Sequence, residues 1–475
     1  MNGVMQYLDL FGVTMKDLRA VASRALAGGA SYADLYFENT QYRELSLRDG
    51  SVQSGGIHCD WGVGIRSLDG ERTGYSYCET ISLPQMLQAA DAAASIASGN
   101  ARGKGIFPSF ESGSAVMKTP YSVIKPWSVM DWNTQVDYLK SVQDKLLCSD
   151  SRIKKVIARL SSSDSDILMY NNLGQIAFES RPMGSVAFSI IFSDGKVTEN
   201  RSASRSFRSG GEMLSQENAD SLVKELLSGM DDMLCAGRPK GGKMSVVMGA
   251  GASGILLHEA MGHAFEADFN RKGQSVFSDK IGSRICPESI DIVDDATLDG
   301  NRGSILWDDE LVPGQKTYMV KDGILTSYLH DRISAAHYGI APTGNGRRES
   351  FRYPPIPRMR LTYMENGNCQ RDSIIAEVKK GIFVDEFSNG QVKIGEGDFT
   401  FYVKKGYLIE NGHFTAPVKD INVIGNGPRA LSDIKAVGND LKIDNGTWTC
   451  GKDQSVAVGC GMPTVLVEGL TVGGE

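Results

Sequence analysis

The chain has 475 residues, enough for two or three domains and a large buried core. Its hydrophobic (41%), charged (23%) and aromatic (8%) fractions are those of an ordinary globular protein, and 57 acidic against 50 basic residues leave a net charge of -7. That charge gives no reason to expect direct nucleic-acid binding, and no run approaches the eighteen apolar residues of a membrane span.

The start, MNGVMQYLDLFG, has Asp9 inside its short apolar stretch and no basic leader, so a signal peptide is not expected. Residues 13–30 read as a helix closed by Gly28 and Gly29. Alternating stretches follow, with Asp49-Gly50 and Asp69-Gly70 as hairpin turns between strands. An alanine-rich helix is expected over 83–98, a loop over 100–125 and another helix over 129–147. Strands then resume, and a helix over 214–234 ends this half.

The segment Cys235-Ala-Gly-Arg-Pro-Lys-Gly-Gly-Lys243 is rich in Gly, Pro and basic residues and reads as a linker. It predicts an N-terminal α+β domain over 1–238, with helices packed on antiparallel sheet. A β-rich domain then runs over 239–475. The second half opens with the strand KMSVVM, a glycine turn and a helix. ESIDIVDDAT, GSILWDDE, KTYMVKDGILTS and the later segments read as strands, with Asp322-Gly323 and Asn411-Gly412 as tight turns.

That helix carries His258-Glu259-Ala260-Met261-Gly262-His263, followed by Glu266 and Asp268. Two histidines can hold a metal, and a glutamate beside the first can take a proton from an attacking water. The zincin motif is one residue shorter, H-E-x-x-H. At about 100° per residue, a spacing of four leaves the side chains about 40° apart, whereas a spacing of five leaves them about 140° apart. Either the helix is distorted, as a π-bulge would distort it near Gly262, or the two histidines share no metal. Glu266, one turn beyond His263, is a candidate third ligand or a partner that orients an imidazole; Asp268 caps, supports the site or is exposed.

A catalytic zinc wants three protein ligands and an open position. The other histidines are His58, His330, His337 and His413. The eight cysteines are spread without a C-x-x-C pair, so reduced thiols in a cytoplasm are expected, most of them buried or inert. Cys450, in a polar turn flanked by glycines, leads Cys460 as a candidate ligand.

Two further constellations carry alternatives. Gly249, Gly251 and Gly254 spell G-x-G-x-x-G between a strand and a helix, a nucleotide-binding fingerprint that would suit an oxidoreductase. The polar segment after them lacks the second hydrophobic strand of that fold, and close packing at the helix entry is the plainer role. Arg347 and Arg348, in a glycine-rich loop, are candidates to clamp a substrate carboxylate, or else form a salt-bridged surface turn.

Together these residues resemble the TldD/PmbA family. The likeness rests on His258-Glu259-Ala-Met-Gly-His263-Ala-Phe-Glu266-Ala-Asp268 and Asn270-Arg271. It extends to the Pro342-to-Glu349 loop, Val437-Gly-Asn-Asp440, Asp444-Asn-Gly446, Cys450-Gly-Lys452 and the ending Leu470-Thr-Val-Gly-Gly474. The resemblance implies a zinc metallopeptidase of the metal-bearing branch, with Zn2+ on His258, His263 and Cys450 and Glu259 as general base. It implies unstructured or modified peptides as substrates and a dimer, either with itself or with a metal-free relative. The family's history as modulators of DNA gyrase also suggests a non-catalytic regulatory role.

Overall fold

The computed structural model describes residues 2–98, 119–251 and 253–473. Most of the loop expected over 100–125, and Ala252 of the glycine turn, lie outside them.

The first half is built on one antiparallel sheet. Its strands are β1 (Tyr32–Arg48), β2 (Ser51–Asp69), β3 (Arg72–Cys78), β4 (Ile153–Asn171), β5 (Ile176–Ser193) and β6 (Thr198–Phe207), in the order β3-β2-β1-β4-β5-β6. The hairpin between β1 and β2 turns at Asp49 (φ 48) and Gly50 (φ 77), the two left-handed positions that a tight hairpin of this hand requires. The turns at Asp322-Gly323 (φ 50, 75) and Asn411-Gly412 (φ 49, 80) repeat that geometry.

Helices cover the sheet in two groups. Helices α1 (Asn2–Phe11), α2 (Met15–Ala25) and α3 (Leu83–Ala97) bury Phe11, Leu18, Val21 and Ala90 against Leu35, Phe37, Val63 and Leu168. Helix α2 begins at a capping box in which Thr14 and Asp17 exchange bonds. Helices α4 (Trp132–Ser149) and α5 (Gln216–Leu227) bury Leu139, Leu146 and Leu222 against Leu160, Phe188 and Ile190. The helix expected over 214–234 is interrupted: Gly229 takes φ 73 and starts a separate short helix, Met230–Cys235. Helix α1 was not expected from the sequence.

The second half holds two larger sheets. One has β7 (Gly242–Met248) between the parallel strand Lys380–Lys393 and the antiparallel strand Val465–Gly473. The other runs from Ile324–Leu325 through Ile292–Asp295 and Leu361–Met364 to Gly459–Met462 and Lys442–Asp444. A single apolar core joins them, with Val246, Val384 and Phe401 from the first and Ile292, Met319, Met364 and Met462 from the second. The segment with both histidines lies in this core. GSILWDDE is not a strand: its acids turn inward, where Asp308 accepts the Glu310 and Val312 N–H groups and Glu310 accepts the Arg332 N–H.

A charged seam locks the halves together. Arg66 of β2 is buried between Asp34 and Glu310 (2.6 Å), Arg181 of β5 reaches Asp309 at 2.6 Å, and Glu38 of β1 accepts the Phe351 N–H at 2.7 Å. Buried charges persist only when paired, and removing one partner costs about 3–5 kcal/mol. The mixed architecture is thus α+β, with N-terminal helices on antiparallel sheet and a β-rich C-terminal half.

Candidate metal centre

The chain enters the site from β7. Gly251 adopts φ +100, and Gly254 starts the helix so close to the strand Gly459–Met462 that a Cβ there would lie 2.6 Å from the Gly461 nitrogen. These glycines let helix and strand backbones touch. No dinucleotide fold follows: Asp268 lies in the short helix Ala267–Arg271, not at the end of a second strand.

Regular α-helix lasts only from Gly254 to Leu257. The His263 N–H then reaches back five residues to the His258 carbonyl, making a π-helical turn over His258–Gly262. Gly262 packs closely inside it: a Cβ there would lie 2.1 Å from the Met359 sulfur, so that side chain would have to move. The wide turn absorbs the surplus residue and brings both imidazoles to one side, with ring centroids 5.2 Å apart and planes at 80°. Among residues 253–267 every one is buried except Glu259, whose carboxylate lies 4.0 Å from Nε2 of His263.

Cys450 arrives from far along the chain. It sits on a hairpin of Thr449–Lys452 and Gln454–Ala457 that turns at Asp453 (φ 55). Its sulfur is 3.3 Å from Nε2 of His263. Donor atoms of His258, His263 and Cys450 all lie within 4.8 Å of one another, and all three residues are buried. Cys460 is buried in the core strand beside them, outside this group, and burial pushes its thiol pKa well up.

A shell of charge surrounds the three. Glu266, fully buried, faces Nδ1 of His263 at 2.9 Å and accepts from Lys452 Nζ at 3.0 Å. Lys452 also bonds Asp268 (2.8 Å) and the Pro357 carbonyl (3.1 Å). Arg358 holds the hairpin by donating to the Cys450 carbonyl at 2.7 Å and the Gln454 carbonyl at 2.8 Å. Sequence reasoning did not single out Lys452 or Arg358 as site residues. Lys452 was within reach of it, since residues i and i+2 of a strand share a face; Arg358 carries no local signal.

The electrostatics follow from these contacts. Burial opposes charge on His263, but Glu266 and Cys450 beside it prevail and lift its pKa to about 10. Burial also opposes the Cys450 thiolate, yet the adjoining imidazoles of His258 and His263 bring it down to about 5. Glu266 is held at about 2 against its burial, by Lys452 first and then His263.

The three residues fit a metal. Neither ring nitrogen of His258 has a hydrogen-bond partner although both are buried, a costly state in a finished core. A buried thiolate and two imidazoles form a donor set suited to zinc.

The remaining candidates lie elsewhere. His58 stacks on Tyr42, His330 packs against Tyr338, and His337 bonds Glu71 at 2.7 Å. The guanidinium of Arg347 is tied to the Met359 and Ala457 carbonyls, and that of Arg348 to the Asp309 carbonyl at 2.9 Å; both are buried. All eight cysteines are free thiols; Cys286, Cys450 and Cys460 are buried, and Cys59, Cys148 and Cys235 are exposed.

Comparison with known proteins places this geometry. Models of the PmbA/TldA metallopeptidase match over residues 33–97 (domain 1), 125–229 (central domain) and 241–474 (C-terminal domain). The chain belongs to the PmbA/TldD metallopeptidase family.

Within it, the chain is 38% identical to the metalloprotease TldD homologue of Haemophilus influenzae over 93% of each chain. It is 29% identical to a metalloprotease of Methanothermobacter thermautotrophicus over 93% of this chain and 95% of that one. Its fold matches a candidate modulator of DNA gyrase from Thermotoga maritima with a TM-score of 0.78 at 20% identity, covering 97% and 100% of the two chains. TldE of Thermococcus kodakarensis matches with a TM-score of 0.74 at 18% identity, over 97% and 100%. No helix among the described residues is long and apolar enough to cross a membrane.

Proposed function

We propose that this protein is a zinc-dependent peptidase acting in the cytoplasm on unstructured or modified peptides, with Glu259 as general base. The observation that carries the proposal is the convergence of two imidazoles and a thiolate beside the one accessible carboxylate of a buried segment. A relative from Saccharolobus solfataricus, 29% identical over 68% of each chain, is named a zinc metalloprotease TldD homologue.

His258, His263 and Cys450 would hold the ion, and zinc bound there supplies a Lewis acid that polarises the scissile carbonyl and acidifies water. Glu259 takes a proton from the attacking water on its carboxylate and returns it to the leaving amine nitrogen. Glu266 accepts from Nδ1 of His263 and so directs Nε2 toward the centre. Lys452 and Arg358 hold the Glu266 carboxylate and the Cys450 backbone in place.

Clefts beside Asp444 and Trp448, lined also by Ser202, Ser204 and Glu386, support an approach of extended peptide along β6. A dimer, with a second copy or with a metal-free relative, is part of the same proposal. The test is cleavage of an unstructured peptide by the full chain as its zinc content is varied. Activity that rises with bound zinc and vanishes on chelation supports the reading; undiminished cleavage by zinc-free protein overturns it.

A further inference from the structure

A cavity of about 360 Å³ lies between the first sheet and the C-terminal half, behind the hairpin that carries Cys450. One wall is β4 and β5, with Ser161, Ser162, Ser163 and Ser165. The other includes Ser455, Val456 and Ala457 of the hairpin itself. Arg208, Arg302, Arg347 and Arg360 all line it.

Among the described residues, no carboxylate forms an ion pair with these four guanidinium groups. Arg208 donates to the Ser304 carbonyl (3.1 Å) and weakly to the Pro182 carbonyl (3.5 Å). Arg302 donates to the Trp448 carbonyl (3.0 Å), the hydroxyls of Ser185 (3.1 Å) and Ser206 (2.5 Å), and weakly to Thr449 (3.4 Å). Arg347 is held by two carbonyls. Arg360 donates Nε to the Gly344 carbonyl at 2.8 Å, and its Nη2, buried, has no partner at all. Four acids share the lining: Glu44 is exposed to solvent, and the other three are engaged elsewhere. Asp309 pairs with Arg181, Glu349 accepts the Ser455 N–H, and Glu38 accepts from Thr40 and Phe351. Burial, and after it the neighbouring cations, holds Arg347 well below the usual arginine range; burial brings Arg302 and Arg360 down to about 10.

Nearby Asp308 and Asp309 offset only part of the burial of these groups, and desolvated cations that touch no carboxylate are costly unless an anion joins them. Guanidinium forks match planar oxyanions. Among the described residues no lysine and no helix N-terminus lines the cavity, the features that phosphate sites add. We propose that this cavity is a binding site for a carboxylate-rich ligand, either the acidic segment of a peptide or a free di- or tricarboxylic acid. Because Arg302 and Arg347 also hold the carbonyls of Trp448 and Ala457, an occupant braces the hairpin beside the metal centre. The inference stands on the cavity alone and does not require the peptidase reading.

The test is thermal unfolding of the full chain with citrate at constant ionic strength, chloride replacing citrate in the control. The expected result is a saturable rise in melting temperature whose midpoint moves to about tenfold higher citrate in Arg208→Gln, about 1.4 kcal/mol, and much less in Arg208→Lys. A second variant, Arg360→Gln, guards against a misfolded first one and is expected to show the same weakening. A rise that does not saturate, a midpoint unchanged from the unsubstituted protein in both neutral variants, or tighter binding of pyrophosphate than citrate overturns the assignment. Peptide kinetics separate the sources. Citrate that raises KM for an acidic peptide, and not for its Asn/Gln counterpart, assigns the cavity to the peptide. Unchanged KM for both, with the saturable shift intact, assigns it to a free acid.

Discussion

The Glu266 carboxylate lies 2.9 Å from Nδ1 of His263, and both groups are buried. The pair orients the ring so that Nε2 faces the Cys450 sulfur. Glu266→Gln keeps the shape, removes the charge and leaves Lys452 with Asp268 as its one carboxylate partner. Zinc affinity is expected to fall by about 10–100-fold, the usual cost of losing such a partner. Competition with a chromophoric chelator measures it.

Glu259→Gln separates metal binding from proton transfer. The side chain is partly exposed and outside the donor cluster, so zinc stoichiometry should be unchanged. Turnover of a test peptide should drop by about 10²–10⁴-fold. Full activity in this variant would remove Glu259 from the mechanism.

Cys450→Ser tests the distant ligand. A serine hydroxyl is a far poorer zinc donor than the thiolate that the two imidazoles stabilise. Elemental analysis after gel filtration should find little zinc, with the circular dichroism spectrum retained. Full zinc occupancy in this variant would point to another third ligand.

Gly254→Ala tests the contact that seats the helix. A Cβ would meet backbone, 2.6 Å from the Gly461 nitrogen, and backbone cannot rotate away. The expected loss is about 1–3 kcal/mol, read as a lower urea midpoint. An unchanged midpoint would mean that the helix and the Gly459–Met462 strand separate without cost.

Glu38 makes the seam sensitive to pH. Burial lifts its pKa from 4.5 to about 7. Below pH 4.5 the carboxyl is protonated both folded and unfolded, and its contribution is whole. Between 4.5 and 7 the unfolded chain releases the proton while the folded one keeps it, so stability falls as pH rises. The loss reaches roughly 3 kcal/mol above pH 7. Glu38→Gln should flatten that part of the profile. Urea midpoints at pH 5 and pH 8 give the comparison, and parallel profiles for the two proteins would show that Glu38 is not its source.

What the sequence disclosed depended on how local the determinant was. Asp49-Gly50, Asp322-Gly323 and Asn411-Gly412 were readable because their turns need left-handed backbone that Asp, Asn and Gly tolerate. The surplus residue between His258 and His263 was readable as a geometric misfit, and the π-helical turn is its resolution. Cys450 stood out from Cys460 by its polar turn, but its approach to His263 is a tertiary fact. Arg347 was marked by its glycine-rich loop, but Arg358, Arg208, Arg302 and Arg360 gave no sign, because no periodicity records whether a buried charge finds a partner. GSILWDDE misled because its apolar start mimics a strand, while its acids are spent on N–H groups of the turn and on Arg66 and Arg181.

Cys450 stands 187 residues beyond His263. During synthesis the two histidines are therefore made long before the sulfur that completes their cluster. A partly made or nicked C-terminal half offers two nitrogens and no thiolate, and would hold zinc loosely. On the proposed reading, only a chain that has laid down its closing strands would capture the ion tightly, and the captured ion would then oppose their release. Metal occupancy would thus be a mark of maturity, linking the onset of the proposed peptide cleavage to the end of folding.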